Sequence, residues 1–274
     1  MQNATVAESI LRRDRWITIV GLCTVTVGAW AYILAGAGTG MNVWAMTTWS
    51  FPPPFKHHIM AQWTAVYWVI MLGMWWIMMI AMMIPSATPM ILLYARVSRH
   101  SIRKGRMAGH IIPTAAFLSG YLLAWLFFSA VATALQWTLE QLGLLHGMFM
   151  WSNNLILSGA LLVVAGFYQL SKFKTVCLEH CRSPAEYLSR HWHDGRWGAL
   201  RMGGSHGAYC LGCCWALMAL LFVGGAMNLV WIAGLAMYVL IEKLAPFGER
   251  IAQAIGAGMI VVGGLLLIAP SAFV

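Results

Sequence analysis

Charged residues are scarce in this chain of 274 residues, at 9%, whereas soluble domains usually carry about 25%. The hydrophobic share is 61%, and the mean hydropathy is +0.74. A soluble core cannot absorb this much apolar sequence. The scarcity of charge therefore excludes an ordinary soluble domain and predicts an all-α membrane protein, a polytopic helical bundle.

Several enzyme and cofactor motifs are also missing from the sequence. There is no H-x-x-x-H pair, no C-x-x-C-H haem site and no phosphate-binding loop. These absences count against a familiar stand-alone enzyme but leave room for an unfamiliar one. No recognition motif accompanies the net charge of +9, so we expect no nucleic-acid partner.

Long apolar runs are abundant, and we count seven of them. A membrane span needs about 20 apolar residues. The sixth run has only 13 residues, so we predict six to seven transmembrane helices. The seven runs cover residues 16–37, 65–84, 113–139, 155–171, 208–227, 229–241 and 251–269.

The basic residues are unevenly distributed between the predicted loops. With seven spans, one side of the membrane receives 16 of the 17 Lys and Arg residues, and the other receives only Lys56. This pattern predicts a membrane protein with its N-terminus in the cytoplasm and its C-terminus outside. Membrane lipids, including anionic ones, are expected partners. We predict one transmembrane domain, 1–274, containing a cytoplasmic Cys/His-containing loop at 172–207.

Five of the six cysteines lie in two short clusters, at 177–181 and 206–214. In the first cluster the Cys and His residues stand at i, i+3 and i+4, and in the second at i, i+4, i+7 and i+8. Each set shares one face if its segment is helical. Two such faces can meet and supply metal ligands. The candidate metal ligands are Cys177, Cys181, Cys210, Cys213, Cys214, His180 and His206.

Copper and zinc are the two candidate metals for these thiols. Zinc in a structural site takes four Cys or His ligands, and Cu(I) accepts two or three thiolates, or thiolate with thioether. We predict that Cys177, Cys181, Cys210 and Cys213 bind one ion, with the remaining three candidates in reserve or supporting positions. Disulfides, apolar packing and redox chemistry by the Cys213–Cys214 or Cys210–Cys213 pair are the alternatives.

The second apolar run is rich in methionine. On a helix, Met71, Met74, Met78 and Met82 form one stripe, flanked by 79 and 83. Such a stripe is explained by flexible packing, by lipid contact or by a thioether track for Cu(I). We expect the prolines at 85 and 89 to break this helix.

Other polar residues carry weaker indications. His191 and His193 can chelate from a loop or can be surface residues, and His57 and His58 could form a separate outer site. Glu242 is a functional candidate at membrane depth, although the neighbouring Lys243 offers a structural explanation. The lone cysteine at position 23 is expected to serve packing. The sequence leaves the roles of these residues open.

Four segments together resemble a bacterial family of predicted metal-binding integral membrane proteins of unknown function. They are "MWWIMMIAMMIPSATPM", "YQLSKFKTVCLEHCRSP", "GAYCLGCCWALMALLFVGGAMNLVW" and the "EK" after the sixth run. The resemblance covers 75–243 and implies metal binding. By position it implies roles for the five clustered cysteines and for Lys174, Pro184, Trp215 and Glu242. The histidines at 57 and 58 lie outside it.

Three functions therefore remain open from the sequence. The first is a metal-binding membrane protein, most simply for copper, that handles metal or serves as an accessory subunit of a membrane metalloenzyme. Its expected protein partner is a membrane metalloenzyme or a metallochaperone. The second is a membrane metallo-oxidoreductase or oxygenase acting on an apolar or small substrate. The third is a structural subunit in which zinc pins the polar loop. Whether the protein is itself an enzyme stays undecided.

Overall fold

The fold was analysed in a computed structural model that describes residues 2–40, 42–53, 62–103 and 112–270. Within these ranges the chain forms eleven helices and no β-strand. The predicted all-α fold class is therefore confirmed. The helices are α1 (Gln2–Leu34), α2 (Val43–Met46), α3 (Ala65–Arg103), α4 (Ile112–Gln141), α5 (Leu155–Gln169), α6 (Lys172–Arg182), α7 (Pro184–Arg190), α8 (Gly195–Ala219), α9 (Leu221–Gly224), α10 (Leu229–Leu244) and α11 (Gly248–Ile268).

Five of the described helical segments are long and apolar enough to cross a membrane. They contain α1, α3, α4, α8 together with α9, and α11. Helices α5 and α6 form a sixth candidate, bent by 64° at the break between them. At 16 residues, α10 is shorter than a full span. The described residues thus contain five or six candidate spans, which overlaps the predicted six to seven only at six.

Side-chain caps start several of these helices. Asn154 accepts hydrogen bonds from the backbone N–H groups of Ile156 and Leu157 at the start of α5. Ser171 caps α6 in the same way, and Pro184 occupies the first turn of α7. These residues satisfy or remove the N–H groups that a helix start leaves unpaired.

Helix α3 runs through both of its prolines, so the expected break at 85 and 89 was wrong. A proline inside a helix removes one backbone hydrogen bond. The hydroxyls of Ser86 and Thr88 donate to the carbonyls of Met83 and Ile84 in the same stretch of the helix. Hydroxyls and packed neighbouring helices commonly stabilise proline inside apolar helices.

Helices α4 and α8 pack closely, and glycines allow the approach. A Cβ on Gly203 would collide with the carbonyl oxygen of Phe117, and one on Gly120 would collide with that of Leu200. Small residues let two helix backbones pack at short distance. This contact holds the middle of α8, which carries three cysteines, against Tyr121 of α4.

Helix ends and loops meet at one end of the bundle, which we call the loop end. It comprises the described parts of 35–53, 142–154 and 225–228. Asn228 donates from its side chain to the carbonyl of Thr48 at 3.1 Å, and the N–H of Ala226 donates to the carbonyl of Met150. These bonds tie three connecting segments together.

Candidate metal centre

Helices α6 and α8 place the two cysteine clusters. The stretch 172–207, treated from sequence as a loop, contains α6, α7 and the first half of α8. Because α8 begins at Gly195, Cys210 lies about four turns inside the helix. The apolar run at 208–227 had indicated that the second cluster lies at the start of a helix. The structure instead places it well inside α8, in the interior of the bundle.

Four thiols form one cluster, which we call the thiol cluster: Cys181 of α6 and Cys210, Cys213 and Cys214 of α8. The sulfurs of Cys181 and Cys213 are 4.0 Å apart. The thiols of Cys213 and Cys214 donate to the carbonyl oxygen of Cys210, at 3.1 and 2.8 Å. The three α8 cysteines are almost fully buried, and all four thiols are free.

The separation of Cys181 and Cys213 suits a shared ion. Two metal–sulfur bonds of about 2.3 Å can join sulfurs up to about 4.6 Å apart. The observed 4.0 Å lies within that reach. Among the described residues, no group of three or more Cys, His, Asp or Glu side chains is arranged around a common metal position. The donor geometry in the structure is therefore that of a sulfur pair with further thiols beside it.

Cys177 borders the thiol cluster without joining its hydrogen bonds. Its sulfur lies against the backbone of Gly212, 2.8 Å from the position that a Cβ there would take. Cys214, assigned from sequence to the reserve, lies within the cluster, where its thiol donates to the carbonyl oxygen of Cys210. The structure places Cys181 beside Cys213, with Cys210 and Cys214 on the same helix as Cys213, and the metal-binding role of all five cysteines stays a prediction.

Lys243 enters the thiol cluster from α10. Its Nζ donates to the sulfur of Cys210 at 2.9 Å and to the hydroxyl of Ser86 at 3.3 Å. The hydroxyl of Tyr121 lies 3.2 Å from the same sulfur. Sequence reasoning attached Lys243 to the neighbouring Glu242 and missed this contact. The only sequence feature that pointed to Lys243 was the "EK" pair within the family resemblance.

Glu242 has a different partner, Lys174 of α6. The two side chains form an ion pair, and both are almost fully buried. The Lys174 ammonium also donates to the side-chain oxygen of Gln169, whose amide donates to the hydroxyl of Tyr238. This network joins α5, α6 and α10. It fixes α6 and α10 beside each other, and these helices supply Cys181 and Lys243.

The methionine stripe of α3 is buried along its whole length. Met71, Met74, Met78 and Met82 are each at most 1% exposed, and the flanking 79 and 83 are equally buried. The sulfur of Met83 lies 3.9 Å from that of Cys214. The stripe and its two flanking residues together form what we call the methionine face of α3. The contact of this face with the thiol cluster is made by a flanking residue and not by the predicted stripe itself.

The two histidines among the predicted ligands lie beside the thiol cluster and stack on aromatic rings. His180 stacks on Tyr209 with ring centroids 4.2 Å apart. His206 is buried among aromatic rings that include Tyr121 and Tyr187, and its Nδ1 has no hydrogen-bond partner among the described residues. Burial raises the pKa of the Tyr187 phenol, which keeps this neighbour uncharged.

The other residues singled out from sequence have mixed outcomes. His191 lies near His180, with ring centroids 6.5 Å apart, and His193 is exposed. Cys23 is exposed on α1, so the packing role expected for it was wrong. His57 and His58 lie outside the described residues.

A second buried polar cluster near the loop end was not found from the sequence. The side-chain amide of Gln136 donates to Glu140 at 2.8 Å and contacts the sulfur of Met71 at 3.7 Å. The indole N–H groups of Trp63 and Trp75 donate to Glu140 and Gln136. The sequence feature that could have indicated this cluster is Glu140, a carboxylate at the end of an apolar run, because such a residue is a functional candidate by default.

Residues 203–207 read G-x-S-x-G, the string of a hydrolase nucleophile elbow, which sequence reasoning passed over. The elbow requires a sharp turn between a strand and a helix. This segment lies within α8, so its backbone is helical. The string therefore does not form an elbow here.

A family model described as "PpoB2: Copper chaperone" matches residues 72–266. This range contains the thiol cluster, Lys243 and the methionine face from position 74 onward. A search of curated proteins and a search of solved structures returned no match. The family description names copper and gives no support to the zinc alternative.

Proposed function

Because the chain belongs to the PpoB2 copper chaperone family, we propose that it is an integral membrane protein that carries Cu(I) at the thiol cluster. Cys181 and Cys213 are the primary ligands, and Cys210 stands beside them as a third thiol. The 4.0 Å separation of the first two sulfurs carries the proposal, because one ion can bridge it. The cargo is handed to a metalloprotein partner.

The donor chemistry favours copper. Thiolate and thioether sulfur are soft ligands that select Cu(I), and the cluster combines both kinds through Cys214 and Met83. Burial protects Cu(I) from water, since the three α8 cysteines are at most 2% exposed.

Charge supports the same assignment. Cu(I) with two thiolates carries one net negative charge, and the ammonium of Lys243 beside Cys210 neutralises it. Zinc with four thiolates would leave one negative charge uncompensated at the same place. An uncompensated charge in a low-dielectric interior is costly, so the single buried lysine suits the copper complex better.

Membrane insertion and orientation are part of the proposal. The five or six apolar helical segments support insertion, and the distribution of basic residues supports a cytoplasmic N-terminus in a bacterial inner membrane. With that orientation the loop end faces outward. The methionine face of α3 then leads from the loop end to Met83 at the cluster, over about 18 Å from Met71.

Carriage is preferred over catalysis and over a structural role. The family description names a chaperone. The accessory-subunit role remains compatible, because a membrane metalloenzyme is one form that the copper-accepting partner can take.

The direct test is Cu(I) binding by detergent-purified protein under anaerobic conditions, in competition with a chromogenic Cu(I) chelator. The wild type is expected to retain one tightly bound copper per chain. The Cys181→Ser/Cys213→Ser double variant should lose it, because both primary ligands are gone. Cys23→Ser is the matched control, since that cysteine is exposed on α1 and distant from the cluster in sequence.

Equal copper retention by the double variant and the wild type, with both folded, would contradict the assignment. Circular dichroism and size-exclusion chromatography establish folding for each variant. Loss of copper from the Cys23→Ser control as well would point to general damage by cysteine replacement, and would contradict a site-specific role for the pair.

A further inference from the structure

A polar pocket lies next to the thiol cluster, on the surface formed by α6 and α7. Its volume is about 430 Å³, and its lining includes His180, His191, Glu179 and Glu186. Both glutamates are exposed, and both histidines are half-buried, so the pocket opens to solvent. The function proposed above uses none of these four residues.

Backbone contacts orient both imidazoles in the same way. The Nδ1 of His180 lies 2.8 Å from the carbonyl oxygen of Val176, and the Nδ1 of His191 lies 3.2 Å from that of Tyr187. A carbonyl only accepts hydrogen bonds, so each neutral ring carries its proton on Nδ1. The lone pair is then on Nε2, as in many metal-binding histidines.

Aromatic stacking holds the two rings in place. His180 lies 4.2 Å from Tyr209 at an interplanar angle of 7°, and His191 lies 4.9 Å from Tyr187 at 18°. The two imidazole centroids are 6.5 Å apart. Rings at that separation can bring their Nε2 atoms to the roughly 4 Å that two metal–nitrogen bonds of about 2.0 Å span.

We propose that His180 and His191 form a second copper site, at which Cu(I) pauses between solvent and the thiol cluster. This inference rests on the proposed copper-carrying function. Its position supports the role, because His180 precedes Cys181 on α6 and stacks on Tyr209, which precedes Cys210 on α8, so the site lies one residue from the thiol cluster along both helices. Glu179 and Glu186 add negative charge around the entrance, although Glu186 is partly compensated by an exposed ion pair with Arg190.

Transfer from this site is a ligand exchange without a redox step. Bonds from copper to imidazole nitrogen break, and bonds to the sulfurs of Cys181 and Cys213 form. Copper remains Cu(I) throughout. Each thiol that binds as thiolate releases its proton to water in the pocket, and each imidazole returns to its free neutral form.

The first experiment measures loading. Anaerobic stopped-flow mixing of the purified full-length protein with the Cu(I)–bicinchoninate complex follows the loss of chelator absorbance. His180→Gln/His191→Gln should load about tenfold more slowly, the scale on which supporting metal contacts act, and should reach the same final copper content at the thiols. His193→Gln is the matched control, because that histidine is exposed and outside the pocket lining.

The second experiment isolates the pocket. In the Cys181→Ser/Cys213→Ser background, Cu(I) titration should still show one weak equivalent, with nitrogen neighbours in copper X-ray absorption. Adding the two histidine changes should remove that equivalent. An unchanged loading rate in the histidine double variant, or a weak equivalent that survives it, would each overturn the proposal. Failure of the wild type to hold copper through sulfur would instead refute the proposed function.

Discussion

Replacing Lys243 with Leu should weaken copper binding while leaving the apo protein folded. Leucine has no charge and no sulfur, so it fills most of the same space beside Cys210 without adding a copper ligand. The apo protein loses the cost of burying an ammonium, and the change in its stability should be small. The copper-loaded protein loses the positive charge that neutralises the thiolate complex.

The structure gives the scale of this effect. Nζ lies 2.9 Å from the sulfur of Cys210, which stands beside the two primary ligands. If the charge of the copper complex lies about 6 Å from Nζ, Coulomb's law at an effective dielectric constant of about 20 gives about 3 kcal/mol. We therefore expect Cu(I) affinity to fall by about 100-fold.

Competition against a chromogenic Cu(I) chelator measures this affinity, and thermal unfolding of the apo protein in detergent measures its stability. The matched control is Lys172→Leu, the same chemical change at an exposed position of α6. A Lys243→Leu protein that is folded and binds Cu(I) as tightly as the wild type would refute the charge-compensation argument.

Three further predictions concern the surroundings of the thiol cluster. Lys174→Met leaves the Glu242 carboxylate buried without its ion-pair partner, and should lower the free energy of unfolding by about 3–5 kcal/mol; a small change in unfolding temperature would contradict this. Met83→Leu removes the thioether beside Cys214 at nearly constant volume, and should slow copper transfer to an acceptor while costing less than about 1.5 kcal/mol; unchanged transfer would leave packing as its role. Gly203→Ala puts a Cβ against the backbone of α4 and should destabilise the bundle by about 1–3 kcal/mol; equal thermal stability to wild type would show that the helices can separate freely.

The helical class followed from the sequence because composition and run length are local signals. Apolar runs of about 20 residues predict spanning helices whatever their neighbours are. The run at 229–241 marks the limit of this signal, because a run shorter than a span predicts a helix but not whether it crosses a membrane, and α10 covers 16 residues. Likewise, local rules predict a break at the prolines of α3, although the helix continues through both of them in the packed bundle.

The composition of the thiol cluster was only partly accessible from sequence. Helical spacing predicts which cysteines share a face of α8, but not how α6 is rotated against it. That rotation brings Cys181 to Cys213 and leaves Cys177 beside Gly212. The positions of Lys243 and Glu242 illustrate the same limit: adjacent residues on one helix point about 100° apart, so each meets a different neighbour.

Copper X-ray absorption on the Cu(I)-loaded wild type, with Cys181→Ser/Cys213→Ser measured beside it, tests the copper-carrying assignment most directly. We predict a shell of two or three sulfur neighbours at about 2.3 Å or slightly less, and the loss of that shell in the double variant. A wild-type shell made only of nitrogen and oxygen neighbours would contradict copper carriage by the thiol cluster. A sulfur shell that persists in the double variant would contradict the assignment of Cys181 and Cys213 as the primary ligands.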